Sequence, residues 1–366
     1  MLNPSIGQNS SGMQWLLISP GTDQQKPISS STGRPSKRKE GNCKLQIENR
    51  KLKIKKTEKL ALALLTGCIL SFSIFLLPTL LDAQPAPFKE KNFPRLIETS
   101  ELAPLLNHAS VRIIDMRSSL SDYLKGHIPN SVYLPVETLH VPRYGIPAQS
   151  PDRSFLEELI RDHLGISNPM WVVLYSERSN PNATFLAWTF DHLSHKKVAV
   201  VNGGWEKWVA EKLPTTQRYP SLSLGKFFGK VTPMNLAEKK WILDHLSSKG
   251  LVIVDARSPK QYSGEEGEEI RRGHIPGAKN LFWETLLEGD EVRVWRKRED
   301  LEKLFTESGV TKDKEVIVYG RTGRDASHLY FTLKYILGFP NIRLYRGSWI
   351  EWSADPNLPV KTGADP

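Results

Sequence analysis

The chain has 366 residues and a net charge of +10, and the charge is unevenly placed. Residues 1–59 hold twelve Lys or Arg against four acids, a net of +8, which leaves +2 for the remainder of the 366 residues. The high isoelectric point therefore belongs to the tail and excludes a nucleic-acid-binding folded domain as its explanation, and the length suits two compact domains of about 130 residues behind a separate N-terminal segment.

Up to about Asn42 the tail is rich in Ser, Pro, Gly, Gln and Lys without hydrophobic periodicity, so residues 1–59 are expected to be disordered. Residues 60–81 then run 22 positions without a charge, enough for a helix of about 33 Å that crosses a bilayer. The Lys51 to Lys59 run ahead of it should stay cytoplasmic and send the downstream repeats across the membrane, to the periplasmic side in a bacterium. Segment 60–83 is read as an uncleaved anchor, as a signal cleaved after Ala83 that leaves a secreted protein, or as a lipobox acylated at Cys68. A later translation start would remove the tail altogether.

Gln84-Pro-Ala-Pro-Phe88 is an extended linker. Behind it, one domain is expected over 84–225 and a second over 226–366. Short apolar strands at 111–114, 171–174 and 198–201 recur at 252–254, 316–319 and 342–345. Helical stretches at 154–163, 183–193, 300–308 and 325–337 intervene. This alternation predicts α/β domains, each a mostly parallel sheet flanked by helices, with the site at the carboxyl ends of the strands.

The two halves are copies. Trp205 and Trp349, Trp208 and Trp352, and Ser176 and Gly320 are each 144 residues apart, which marks an internal duplication. The second copy contains Val252-Ile-Val-Asp-Ala-Arg-Ser-Pro259, Arg272-Gly-His-Ile-Pro-Gly-Ala-Lys-Asn280, Glu315-Val-Ile-Val-Tyr-Gly-Arg-Thr-Gly-Arg-Asp-Ala-Ser327 and Tyr345-Arg-Gly-Ser-Trp-Ile-Glu-Trp352. The first has weaker versions, Arg112-Ile-Ile-Asp-Met-Arg117, Gly126-His-Ile-Pro-Asn130, Trp171-Val-Val-Leu-Tyr-Ser176 and Asn202-Gly-Gly-Trp-Glu-Lys-Trp208. In order and spacing this set resembles the tandem rhodanese family, the thiosulfate and 3-mercaptopyruvate sulfurtransferases. The resemblance covers about residues 95–366.

That resemblance implies a loop cysteine, held as thiolate by backbone N–H groups and cations, which takes up a sulfane sulfur as a persulfide and passes it on. The chain departs from it. Its two cysteines, Cys43 and Cys68, precede both repeats, and the equivalent loop positions are Ser176 and Gly320. Glycine has nothing with which to attack, and a serine hydroxyl is hardly ionised at neutral pH. A phosphatase-type Cys-x5-Arg loop fails too, because six positions on from Gly320 is Ala326 and from Ser176 is Asn182.

The segment Gly320, Arg321, Thr322, Gly323, Arg324, Asp325, Ala326 and Ser327 is nevertheless expected to cradle an anion, with Arg321 and Arg324 at its mouth and a cavity where the cysteine side chain is missing. Asp325 favours the helix start but weakens such a site. Asp255, Arg257 and His274 are supporting candidates. Asp115-x-Arg117 and Asp255-x-Arg257 read mainly as ion pairs at strand ends, His127 and His274 as holding turns, and the Trp pairs as packing. Restoring Gly320→Cys is expected to recover some persulfide formation. The leading function is a catalytically inactive binding module for a small oxyanion, a sulfur compound or a protein partner, with a surface scaffold as a third class. The alternative is a working sulfurtransferase. No cofactor, metal or nucleic acid is expected.

Overall fold

The computed structural model describes Phe93 and residues 95–366. The tail, the 60–81 segment and Cys68 lie outside the described residues. Among the described residues no helix is long and apolar enough to cross a membrane.

In chain order the first repeat contributes β1 (Leu96–Ile97), β2 (Val111–Asp115), β3 (Ser131–Tyr133), a hairpin of β4 (Val141–Arg143) and β5 (Ile146–Gln149), β6 (Trp171–Tyr175) and β7 (Val198–Val201). The second contributes β8 (Leu236–Ala237), β9 (Leu251–Asp255), β10 (Lys279–Asn280), a hairpin of β11 (Leu287–Glu288) and β12 (Val294–Trp295), β13 (Glu315–Tyr319) and β14 (Ile342–Tyr345). The five-stranded sheets run β1-β7-β6-β2-β3 and β8-β14-β13-β9-β10, one topology used twice. Every pairing inside them is parallel. The duplication and the α/β layering expected above are thus realised, and the two antiparallel hairpins are the additions that the strand pattern did not announce.

The central strands are apolar over all of β6 and over residues 316–319 of β13 because helices cover both faces, the usual reason parallel strands lose alternation. All five residues of β6 are buried. Helix α1 (Pro181–His192) starts with Asn180 accepting the Asn182 N–H and with proline in its first turn, a standard helix entry. Helix α2 (Arg324–Phe331) starts at Gly323 and continues in a wider turn over Thr332–Ile336. The two helices pack on each other, and one apolar core runs from Ile114 through α1 and α2 to Leu344. The repeats therefore form one compact unit.

A buried polar knot locks that seam. Asp191 on α1 accepts from Tyr330 Oη and Lys334 Nζ, both at 2.6 Å, and pairs with Lys196. These cations hold its carboxyl well below the usual carboxylate range, despite the opposing effect of burial.

Candidate functional site

The site forms where β13 stops. Register sets Tyr319 opposite Asp255, so the chain leaves the sheet at Gly320 beside the strand end bearing the Asp-x-Arg group. Gly320 N–H donates to Ser348 Oγ at 3.2 Å. Its carbonyl accepts the Trp349 N–H at 3.0 Å, and the Arg321 carbonyl accepts the Ile350 N–H at 3.1 Å. These bonds strap the loop to helix Ser348–Trp352. Gly323 closes it at φ 88, with space for a Cβ limited by Arg346 Cδ at 3.1 Å, so only glycine fits without strain.

The floor of the loop is filled. A Cβ placed on Gly320 would stand 3.0 Å from Asp325 Cβ, 3.3 Å from Asp325 Oδ2 and 3.2 Å from the Ala326 nitrogen. Burial raises the pKa of the Asp325 carboxyl above the ordinary value, while the charge of Arg324 and the nearby Arg321 backbone oppose that shift. This corrects the expectation of an emptied cavity. The glycine leaves no vacancy, because the next turn of chain brings its own carboxylate into the space.

Arg321 also departs from the expected arrangement. Its guanidinium binds Glu269 at 2.5 Å and Glu268 at 2.6 Å, which draws it onto an acidic segment and neutralises it. Arg324 acts electrostatically on Asp325 and on His140 of the first repeat. Ser327 faces away from the loop mouth and into the seam, where its hydroxyl donates to the Arg324 carbonyl at 2.6 Å and meets Thr184 Oγ1 at 2.9 Å. Ala326 is buried.

One residue given no role from sequence controls the loop's position. Arg346 follows β14 and is 4% exposed. It donates to the Thr322 carbonyl at 2.6 Å, to the Ala148 carbonyl at 2.8 Å and to the Leu139 carbonyl at 3.1 Å, and lies 4.6 Å from the Phe185 ring centroid. It thus ties the loop to the first repeat. With carbonyls as its hydrogen-bond acceptors, burial pushes the guanidinium down to about 9. Arg346 also borders a cavity of about 480 Å³ between the repeats, together with Arg143, Trp188, His192, Lys239 and Tyr345. The sequence signal was present, an arginine directly after a buried strand, but nothing local says which carbonyls it would reach.

The first loop is closed differently. Ser176 is 2% exposed and donates to the Asn180 carbonyl at 2.9 Å. Ser179 donates to the Arg293 carbonyl at 2.7 Å, so this loop packs against the second repeat.

The supporting residues hold the frame. Arg257 clamps Asp255 through Nε at 3.0 Å and a terminal nitrogen at 2.6 Å, donates to the Gly273 carbonyl at 2.7 Å, and lies 4.6 Å from the Trp349 ring centroid. Arg117 repeats this with Asp115, Gly126 and Trp205. His274 Nδ1 bonds the Tyr262 carbonyl at 2.9 Å with its ring stacked on Tyr262, and His127 bonds the Tyr123 carbonyl likewise. Trp208, Trp349 and Trp352 are buried.

Comparison with known proteins mirrors the duplication. Both repeats match the family described as Rhodanese-like domain, over residues 98–211 and 238–355. The sulfur carrier protein TtuD of Thermus thermophilus is 33% identical over 298 residues, covering 74% of this chain and 97% of that protein. A putative thiosulfate sulfurtransferase of Synechococcus elongatus is 33% identical over 289 residues, covering 77% of this chain and 89% of that protein. A thiosulfate sulfurtransferase of Corynebacterium glutamicum is 32% identical over 300 residues, covering 77% and 95%. Among solved structures, wild-type EanB aligns with a TM-score of 0.67 at 22% identity, over 74% of this chain and 69% of that one. The anaerobic ergothioneine biosynthesis enzyme of Chlorobium limicola, in complex with trimethyl histidine, aligns with a TM-score of 0.66 at 22% identity, covering 74% and 70%. At that identity the likeness concerns the fold.

Proposed function

The chain belongs to the rhodanese-like family, and from that membership we propose that it is a member without sulfur-transfer chemistry, kept as a membrane-attached binding module for a protein partner or a small compound. One observation carries this reading: the loop residue that would bear the nucleophile is Gly320, and no cysteine comes after Cys68. Ser176 is no substitute, since its hydroxyl is buried and already donating to Asn180. The structural neighbour crystallised with trimethyl histidine supports small-compound binding on this fold.

Relatives named thiosulfate sulfurtransferase favour a second reading, an active enzyme. Purified full-length protein given 3-mercaptopyruvate and a thiol acceptor decides between them. The inactive reading expects pyruvate release at the level of a protein-free control, and sustained release would establish the enzyme.

Membrane attachment rests on the charge-free 60–81 segment and the lysines before it. A reporter that works only outside the cytoplasm, fused after residue 90, should be active. Deleting 60–81 should leave the chain in the soluble cytoplasmic fraction. An inactive reporter on the intact segment would refute the orientation.

A further inference from the structure

We propose that the Asp325 carboxylate is the resident occupant of the second-repeat loop, and that it closes the loop to oxyanions and to sulfur transfer independently of the missing thiol. The inference deepens the non-catalytic reading and rests on it. Three features of the geometry carry it. The Asp325 side chain stands within 3.0 to 3.3 Å of where any side chain on residue 320 would begin. The Ala326 backbone nitrogen, 3.2 Å from the same point, closes the loop floor from its other side. One of the two arginines expected at the loop mouth, Arg321, is spent on Glu268 and Glu269.

An anionic guest would therefore meet a fixed negative charge in a site already filled. A thiol introduced at residue 320 would face the same carboxylate, and a like charge at this range disfavours the thiolate. The chemistry at stake is simple to balance. A thiolate attacks the outer sulfur of thiosulfate, the S–S bond of thiosulfate breaks, sulfite leaves with the bonding pair, and the new S–S bond is the persulfide. No further reductant or oxidant enters. What limits the step is the fraction of thiolate and the entry of thiosulfate, and Asp325 opposes both. Gly320→Cys alone is thus expected to form persulfide only slowly, a weaker rescue than the sequence suggested.

The test uses the full-length chain as wild type and as Gly320→Cys, Gly320→Cys/Asp325→Ala and Gly320→Cys/Asp325→Asn, with peptide mass mapping to separate residue 320 from Cys43 and Cys68. After thiosulfate, the peptide carrying residue 320 should gain one sulfur at least about tenfold faster in both double variants than in Gly320→Cys, the effect of about one unit in thiol pKa. The asparagine variant keeps the size of Asp325, so it separates charge from bulk and guards against a collapsed loop. In parallel, Asp325→Ala should gain a sulfate-dependent rise in melting temperature beyond that of wild type, as a ligand that binds only the folded state requires. Equal rates in the single and double variants, or no persulfide in any variant together with no added sulfate effect, would overturn the role of Asp325. Sulfur transfer by the wild-type chain would instead overturn the non-catalytic reading, so the two failures are distinguishable.

Discussion

Asp255→Ala should destabilise the protein by about 3–5 kcal/mol in urea unfolding, the usual loss when one member of a buried ion pair is removed. Asp255 is fully buried and Arg257 is 2% exposed, so the substitution strands a guanidinium charge in the interior. That charge keeps the Gly273 carbonyl and the faces of Trp349 and Tyr319, none of them an anion. Asp255 Oδ1 also caps the Arg257 backbone N–H at 3.0 Å, a bond lost in the same step. Total stabilities of about 5–15 kcal/mol make this a large fraction. Asp255→Asn, which retains an acceptor, should cost less. A loss under about 1 kcal/mol in the alanine variant would mean that the pair does not hold the strand end in place.

Acid should unfold the chain early. His328 is fully buried, with its ring stacked 4.5 Å from Trp295, and burial depresses its pKa to about 3. His195 is 5% exposed and lowered to about 4, chiefly by burial. His140 is lowered to about 4 by burial and by the charges of Arg346 and Arg324. In each case the folded-state value lies below the ordinary 6.5, so the unfolded chain binds protons first as the pH falls. Stability is complete above about pH 6.5 and is lost progressively toward pH 4, each group contributing about 1.4 kcal/mol for every pH unit between its unfolded and folded pKa. The summed loss should be on the order of several kcal/mol, read as a urea midpoint that falls steeply over that window. His328→Phe should flatten part of the slope. A midpoint unchanged from about pH 7 to about pH 4.5 would contradict the neutral burial of these rings.

The fold was legible because its signals are local. Val316 to Tyr319 is an apolar run too short for a helix, and the Trp pairs at a constant offset expose the duplication. The position of the loop was legible for the same reason, since a β-branched strand running into Gly-Arg-Thr-Gly can only end in a turn. What fills the loop was not. Whether Asp325 caps its helix from outside or turns into the space beside Gly320 depends on a side-chain direction that no spacing records. The capture of Arg321 by Glu268 and Glu269 spans more than fifty residues of sequence, and the reach of Arg346 to Leu139 joins the two repeats. Such contacts are decided by how the halves dock, which no local pattern in the sequence records.

Whether the chain transfers sulfur at all is decided by cyanide-dependent thiocyanate formation from thiosulfate, measured on the purified full-length protein. The expected rate equals that of buffer alone and is unchanged by Ser176→Ala, because neither loop holds a cysteine. Turnover that survives stringent purification would contradict the non-catalytic reading, and loss of that turnover in Ser176→Ala would place the carrier on the first repeat.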